Sequence, residues 1–389
     1  MRFLRKVAIV VGIVLAAYLV ADWSLGAYYY YRMREVPPSL TGIPGFQGVA
    51  YAVPEFGMEA QESSPVYTIP GTRLLWPREY HGQFFNIDKV APTGSYYRRT
   101  VNPPVTKEPP VVVLFLGGST VYGPDTPDGL TMASQLSAIL NAEDKSRSYA
   151  VLNAGVTALD STLERERLAY ELNHGLKPGI IVVLDGGLDL VGGFYLGSPG
   201  RPVVTGRTYV GELFYKYFPM NIYRRLSIWA SERAVRLKEK QAPKSVSDPH
   251  RQEKLLAETV RTYEENQLAM AKLAAGVGAR FITVLEPNSY GTTYTHAAPD
   301  LDYVARQTDG HMPGLSGLLP EGLKALGKAQ AELRADGIET LNLSAVFKDK
   351  TGNIFTTTTA HLNAEGSSVV AERIAGVILR QSRSLSSER

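Results

Sequence analysis

The residues of this chain with the clearest chemical potential are a serine and a histidine far apart in the sequence. Ser119 stands in the segment GGSTVYG, directly after a short apolar run, and His361 stands in HLNAEG, just before an amphipathic helical pattern. A histidine Nε2 that contacts a serine hydroxyl takes its proton and makes Oγ a nucleophile for acyl groups. Such pairs are recognised by their positions in space, so their separation in sequence is no obstacle. The two residues predict ester hydrolysis or acyl transfer.

Each of the two residues also has a purely structural interpretation. A serine that opens a helix is often only its N-cap, and a lone histidine before a helix is more often structural than catalytic. The combination is more specific than either part, because Ser119 follows the first core strand and His361 precedes the last helix of the chain.

The composition excludes several other chemistries. The chain has no cysteine, which excludes disulfides, thiolate metal sites and a cysteine nucleophile. Its net charge of +3 is small and its Lys and Arg are scattered, which does not favour nucleic acid as a partner. Neither a metal-ligand spacing nor a phosphate-binding glycine loop occurs in the sequence, so we expect no metal and no cofactor.

The elements that position the two residues are short buried strands alternating with amphipathic helices. β-branched apolar runs that end at glycine or proline predict strands of a parallel sheet, and they lie at 111–118, 149–155, 179–187 and 280–287. Helical periodicity predicts helices over 131–141, 162–174 and 255–275. This alternation predicts a doubly wound α/β fold with helices on both faces of the sheet. Ligands of such folds bind at the carboxyl ends of the strands, where Ser119 lies.

The start of the sequence predicts a membrane anchor. Basic residues precede an apolar run over 7–21, and an aromatic group with Trp23 and the tyrosines at 28–31 follows it. A basic flank, about twenty mostly apolar residues and an aromatic belt are typical of one transmembrane helix. A cleaved signal peptide is the other interpretation, but no small-x-small cleavage site precedes a polar mature start.

The remaining sequence divides by composition. We predict a cytoplasmic stub and transmembrane anchor over 1–31, a stalk rich in Pro, Gly and aromatics with lead-in strands over 32–105, and the globular domain over 106–385. Two insertions, at about 192–250 and 288–320, interrupt this domain. Long loops above a sheet act as lids and substrate walls or are simple decoration, and the sequence leaves both open.

Four ordered segments resemble the conserved blocks of the SGNH/GDSL hydrolases. The resemblance covers about residues 85–385 and implies a flavodoxin-like three-layer α/β/α sandwich with about five parallel strands. It also implies serine esterase, lipase, carbohydrate O-deacetylase or acyltransferase chemistry. The segments are GGST at 117–120, NAG at 153–155, DGGLD at 185–189 and HLNAEG at 361–366.

The resemblance assigns roles to three residues and marks two departures. Ser119 matches the nucleophile, His361 matches the base, and Gly155 matches the glycine whose N–H helps to form the oxyanion hole. Leu188 stands where the family has an asparagine donor, and Thr358 stands where it has the acid that orients the histidine. A missing oxyanion donor typically costs about 10²–10³ in rate, and a missing acid up to about 10⁴ in a serine protease.

Two carboxylates near Leu188 are further candidates. Asp189 directly follows Leu188 and would reach the site only if its loop is rearranged, so we expect it to hold the loop from behind. Asp185 also matches a family position, and we expect a structural role for it.

Two function classes therefore stand side by side. The first is a membrane-anchored, extracytoplasmic serine esterase or O-acyltransferase, slow or atypical, for acylated (for example acetylated) envelope or exported polysaccharide. The second is a pseudoenzyme, an SGNH fold kept as a binding or scaffold protein of a polysaccharide synthesis or secretion complex. In both we expect a single-pass anchor in the inner membrane and the C-terminal domain in the periplasm. In both we also expect a membrane-embedded acyltransferase or polysaccharide synthesis complex as a partner.

Overall fold

The computed structural model describes most of the chain and divides into two units. One unit comprises Met1–Met58 and Arg207–Gln241, and the other comprises Glu59–Gly206 and Ala242–Arg389. The described residues are 2–33, 56, 59–60, 63, 66–68, 73–201, 248–291, 312–348, 350, 354–356 and 360–387.

The first unit contains a long apolar helix, α1 (Arg2–Met33). Its segment Arg5–Ser24 spans 20 residues with a mean hydropathy of 2.1, which is long and apolar enough to cross a membrane. Its large apolar side chains are exposed, for example Ile13 at 64% and Val14 at 61%. A signal sequence passes the same test of length and composition, so α1 is a candidate span.

The second unit is built on a mostly parallel sheet. The described strands form an eight-stranded sheet in the order β10-β9-β8-β6-β7-β5-β4-β3, and β1 pairs with β2 apart from it. The strands β7, β6, β8, β9 and β10 are parallel and follow the flavodoxin-like order 2-1-3-4-5. The bounds are β1 (Val66–Thr68), β2 (Leu75–Pro77), β3 (Tyr80–His81), β4 (Asn86–Val90), β5 (Ser95–Arg98), β6 (Val111–Gly117), β7 (Tyr149–Gly155), β8 (Ile180–Asp185), β9 (Arg280–Leu285) and β10 (Glu339–Asn342).

Helices cover both faces of this sheet and complete three layers. Alternate side chains of the strands point to opposite faces, so Phe115 of β6 packs with one helix layer and Leu116 with the other. Full burial of such a side chain contributes about 1.5–3 kcal/mol to stability. The helices are α2 (Ser119–Tyr122), α3 (Met132–Glu143), α4 (Ser161–Asn173), α5 (Pro249–Gly276), α6 (Leu315–Ala335) and α7 (Ala364–Ser387). Helices α3 and α7 cover one face, and α4, α5 and α6 cover the other.

The predicted α/β/α sandwich is confirmed, and all four predicted core strands are present within one or two residues of their bounds. Helix α6 and strand β10 were not among the elements predicted from periodicity. Pro320 lies inside α6 and cannot donate the helical hydrogen bond of its position, which is why a proline in the sequence argues against a helix there.

The predicted stalk, over 32–105, includes residues that belong to the globular second unit. The strands β3, β4 and β5 lie within the range 32–105 but extend the main sheet by antiparallel pairing. Their alternating buried residues, such as Tyr97 at 2% exposure, pack against the core of the domain. The boundary at 105 is therefore corrected, because the second unit already begins at Glu59.

The two predicted insertions lie largely outside the described residues. Their described ends differ from the loops predicted there. A single π-helical turn, Leu190–Tyr195, opens the first, and α5 begins at Pro249, before the predicted start at 255. The second ends in helix α6, which begins at Leu315.

Candidate active site

Ser119 lies at the carboxyl end of β6, in the first turn of α2. The turn between strand and helix is tight, because a Cβ on Gly117 would lie 2.3 Å from Cγ2 of Val121 and 2.7 Å from the carbonyl oxygen of Leu184. Only glycine fits at that position. The serine is half-buried, and its side chain points to the segment that precedes α7.

The structure brings Ser119 and His361 together. Ser119 Oγ lies 2.8 Å from His361 Nε2, and His361 Nδ1 lies 3.0 Å from Asp125 Oδ2. An ionised carboxylate only accepts hydrogen bonds, so Nδ1 carries the proton and Nε2 presents its lone pair to the serine hydroxyl. The side chains of His361 and Asp125 are only 15% and 19% exposed. The three residues form a nucleophile–base–acid chain, the arrangement that activates a serine for acyl transfer.

Asp125 is the residue that the sequence analysis missed. The acid was expected three positions before His361, at Thr358, which lies outside the described residues. The carboxylate comes instead from the loop that follows α2, and Thr356 Oγ1 also donates to Asp125 Oδ2 at 2.6 Å. The expectation that His361 lacks an orienting acid is therefore wrong. The signal in the sequence was an aspartate in the loop GPDTPDG, immediately after the nucleophile.

A buried arginine holds the loop that carries Asp125. Arg98 of β5 is 1% exposed, and its guanidinium plane packs over the ring of Phe85 at 4.1 Å. Its donors reach the backbone on both sides of Asp125 and one carboxylate. They bind the carbonyl oxygens of Tyr122 (2.8 Å), Gly123 and Thr126 (2.5 Å) and Oδ1 of Asp128 (3.1 Å).

Burial shifts the pKa values of both Arg98 and its partner Asp128. Desolvation lowers the pKa of Arg98, although the nearby Tyr122 and Asp128 act in the opposite direction. Desolvation likewise raises the pKa of Asp128, against the effect of Arg98. Both shifts express the cost of burying charge, and the hydrogen bonds to carbonyl groups offset that cost.

Gly155 does not have the predicted role. Its N–H donates to Asn153 Oδ1 at 3.0 Å, and Asn153 Nδ2 donates to the carbonyl of Val121 at 3.1 Å. A Cβ at Gly155 would lie 2.3 Å from the backbone nitrogen of Tyr122. The glycine therefore allows β7 and α2 to approach closely, and its N–H is used by Asn153 rather than by an oxyanion.

A neighbouring turn, which contains Ala158, packs against Gly118, the residue before Ser119. Ala158 has a φ of 66°, a left-handed conformation rare for a residue with a side chain. It lies in the turn closed by the bond from Leu159 N–H to the Val156 carbonyl. The Leu159 carbonyl oxygen would be 3.0 Å from a Cβ on Gly118, so this turn abuts the nucleophile. Within the described ranges, the N–H groups of Ser119 and Ala158 have no hydrogen-bond acceptor.

Leu188 lies beside the nucleophile, as the sequence pattern implied. Its Cδ1 would be 3.0 Å from a Cβ on Gly118, and its side chain is half-buried. A leucine side chain has no hydrogen-bond donor, so this wall of the site is apolar where the resemblance implied an asparagine.

The carboxyl groups of Asp185 and Asp189 bind buried residues of the helices α4 and α5. Asp189 accepts from the N–H (3.3 Å) and the hydroxyl of Ser161, and Asp185 Oδ2 accepts from Gln267 Nε2 at 2.7 Å. Burial raises the pKa of Asp185 to about 6 and that of Asp189 well above its usual range. Glu164 shares this interior, and burial and the charge of Asp185 raise its pKa as well. The expected structural role of these carboxyls agrees with their contacts.

The described part of the chain has no group of three or more His, Cys, Asp or Glu side chains arranged to hold a metal ion.

Comparison with known proteins gives a likeness in fold. No family model and no curated protein matches the chain. A GDSL-like lipase from Bacteroides thetaiotaomicron is 12% identical with a TM-score of 0.38, covering 72% of this chain and 91% of its own. The esterase EstA from Pseudoalteromonas sp. is 10% identical with a TM-score of 0.38, covering 70% and 98%. A variant of an acetyl-xylooligosaccharide esterase from Geobacillus stearmophilus is 11% identical with a TM-score of 0.37, covering 68% and 92%.

Proposed function

We propose that this chain is a serine ester hydrolase or O-acyltransferase of the SGNH type. The observation that carries the proposal is the hydrogen-bonded chain from Ser119 through His361 to Asp125, with distances of 2.8 and 3.0 Å. An N-cap serine and a structural histidine would not require a carboxylate behind the imidazole. The geometry supports an active serine more strongly than the sequence did, because the acid is present.

The reaction follows from these contacts. Ser119 Oγ attacks the acyl carbonyl carbon while His361 Nε2 takes the hydroxyl proton, and Asp125 stabilises the imidazolium that forms. The oxyanion accepts from the N–H groups of Ser119 and Ala158. His361 then gives the proton to the leaving alkoxide, and the acyl group remains on Ser119. Water completes hydrolysis by the same route in reverse, and a sugar hydroxyl in place of water completes acyl transfer.

The proposed setting is the outer face of the inner membrane. We propose that α1 is an uncleaved anchor and that the basic residues before its apolar segment lie in the cytoplasm, which places the second unit in the periplasm. A catalytic unit tethered there meets the acylated carbohydrates of the envelope or of an exported polysaccharide. We propose these as substrates, and a membrane-embedded acyltransferase or polysaccharide synthesis complex as partner.

Leu188 favours a second candidate function. An apolar side chain stands in place of a donor beside the nucleophile. The oxyanion donors proposed among the described residues are then the two backbone N–H groups of Ser119 and Ala158. That second function is a catalytically inactive binding or scaffold protein of a polysaccharide synthesis or secretion complex.

A fluorophosphonate probe separates the two functions. We expect the full chain in detergent to be labelled at Ser119, and Ser119→Ala and His361→Ala to abolish the labelling. The control is Ser137→Ala, since Ser137 is a buried serine of α3 that donates to Asn102 and has no histidine partner. Absence of labelling, together with no release of acetate from acetylated polysaccharide, would rule out the hydrolase and leave the scaffold.

A further inference from the structure

A second buried carboxyl group lies next to the nucleophile and has no role in the chemistry described so far. Glu286 follows the carboxyl end of β9, and its backbone N–H donates to the Asp185 carbonyl at 3.0 Å. The residue is only 6% exposed. It therefore lies at the edge of the sheet where the ends of β6, β8 and β9 meet.

The two oxygens of Glu286 join the two segments that form the site. Thr120 Oγ1 donates to Oε2 at 2.9 Å, and the Gly187 N–H donates to Oε1 at 2.9 Å. Thr120 directly follows the nucleophile Ser119, and Gly187 directly precedes Leu188. One carboxylate thus fixes the position of the nucleophile relative to the apolar wall.

The turn before Leu188 is shaped to receive this carboxylate. A Cβ on Gly187 would lie 2.0 Å from Glu286 Oε1, so any side chain at that position would displace the oxygen from its bond. A glycine at this position therefore allows the hydrogen bond between the Gly187 N–H and Glu286 Oε1.

The charge of Glu286 is also coupled to the base. Burial raises its pKa to about 7, the Thr120 and Gly187 hydrogen bonds lower it, and the charges of Asp185 and His361 act in opposite directions. The charge of Asp185, at the end of β8, raises the pKa of Glu286, and the charge of His361, in the segment before α7, lowers it. Since His361 favours the ionised carboxylate, the ionised carboxylate favours a positive His361 to the same extent.

We propose that Glu286 is a positioning residue of this reaction, which fixes Ser119 against the Leu188 turn and supplies negative charge to the imidazolium of His361. The inference rests on the proposed hydrolase function. The positive charge arises when the Ser119 proton moves to Nε2 and the bond from Oγ to the acyl carbon forms. Asp125 and Glu286 then both stabilise it, which compensates in part for the donor that Leu188 lacks.

The test compares Glu286→Gln with the same substitution at a second buried glutamate. The variant keeps an acceptor for the Gly187 N–H but removes the charge. The control is Glu171→Gln, because Glu171 is fully buried on α4, where it binds Ser95 and Arg167. For the full chain in detergent, we expect kcat/KM for an acyl ester to fall about tenfold in Glu286→Gln and to change less than about twofold in the control.

The pH profile separates a charge effect from a packing defect. In the native chain, protonation of Glu286 and of His361 both lower the rate, so the acid limb is steeper than for one proton. In Glu286→Gln the acid limb of the plot of log(kcat/KM) against pH should have the slope expected for one protonation. An unchanged slope and rate in an enzyme that fluorophosphonate labels at Ser119 would overturn the role of Glu286 and leave the hydrolase proposal intact.

A second readout does not need turnover. The rate at which a fluorophosphonate labels Ser119 in the full chain depends on the same transfer of the hydroxyl proton to His361. We expect this rate to fall about tenfold in Glu286→Gln and to change less than about twofold in the Glu171→Gln control. If Ser119 of the native chain is not labelled, the hydrolase proposal fails, whereas equal labelling rates in the native chain and in Glu286→Gln would overturn the role of Glu286 alone.

Discussion

Asp125 Oδ2 lies 3.0 Å from Nδ1 of His361, and it reaches the histidine from the loop directly after the nucleophile helix. The nucleophile and the acid therefore come from one short segment, and only the base comes from the end of the domain. This arrangement makes the position of the loop after α2 decisive for catalysis, since a shift of that loop moves the acid away from the imidazole.

Replacing the acid tests the chain of hydrogen bonds directly. In Asp125→Asn we expect kcat for an acyl ester to fall about 10³–10⁴-fold, because the amide does not hold His361 in the required tautomer or stabilise the imidazolium. Thr356→Val is the milder comparison, since it removes one donor to Asp125 and keeps the charge. It should lower kcat less than about tenfold. Wild-type rates in Asp125→Asn would show that Asp125 is not the acid.

Substitution of Leu188, the apolar residue beside Ser119, is the second test. Leu188→Asn should raise kcat/KM for an acyl ester, by up to about 10²-fold, because it adds a donor beside the nucleophile. Leu188→Ala controls for the change in volume, and equal gains in both variants would assign the effect to space. If kcat/KM rises in neither variant, the backbone N–H groups already stabilise the oxyanion without a side-chain donor.

Removing the arginine that supports the acid loop should affect stability as well as activity. Arg98→Met leaves the carboxylate of Asp128 and three carbonyl groups buried without the guanidinium, and we expect a loss of about 3–5 kcal/mol in the free energy of unfolding. Arg99→Met is the neighbouring control. Its exposed pair with Asp88, with side chains 44% and 34% exposed, should contribute less than about 1 kcal/mol. Denaturant unfolding of the full chain measures both, and equal effects would contradict the supporting role of Arg98.

The buried carboxyls predict a fall of stability with rising pH. Burial raises the folded-state pKa of Asp185 to about 6, above its ordinary value of 3.8. Between these values the folded chain binds more protons than the unfolded chain. The contribution of this group to the free energy of unfolding is therefore fully present below about pH 4 and is lost as the pH rises through about 6. The raised pKa values of Glu164 and Asp189 extend the loss to higher pH.

Glu164→Gln tests this linkage. We expect the melting temperature of the variant to exceed that of the native chain at pH 8 and the difference to shrink at pH 5, because the amide has no proton to lose. Glu253→Gln on the exposed side of α5 is the control and should be neutral at both values. A melting temperature that rises steadily from pH 5 to pH 8 in the native chain would contradict the prediction.

Periodicity and turn residues were enough to predict most of the architecture. The core strands are runs of β-branched residues buried on both faces, and such runs have few other stable placements. Helix α6 was missed because Pro320 and neighbouring glycines weaken its pattern, and strand β10 was missed because a four-residue strand at the sheet edge carries little signal. The antiparallel strands β3–β5 were assigned to a stalk because local sequence does not show which sheet a short strand joins.

The sequence by itself determined the candidate pair, Ser119 and His361, since a serine after the first strand and a histidine before the last helix lie at the same edge of a doubly wound sheet. It also determined the apolar residue beside them, Leu188. Only the tertiary structure decided which carboxylate reaches His361 and which N–H groups are left for an oxyanion. Those outcomes depend on hydrogen bonds between segments far apart in the chain, such as Arg98 to the Asp125 loop and Asn153 to Gly155 and α2, and no local pattern encodes them.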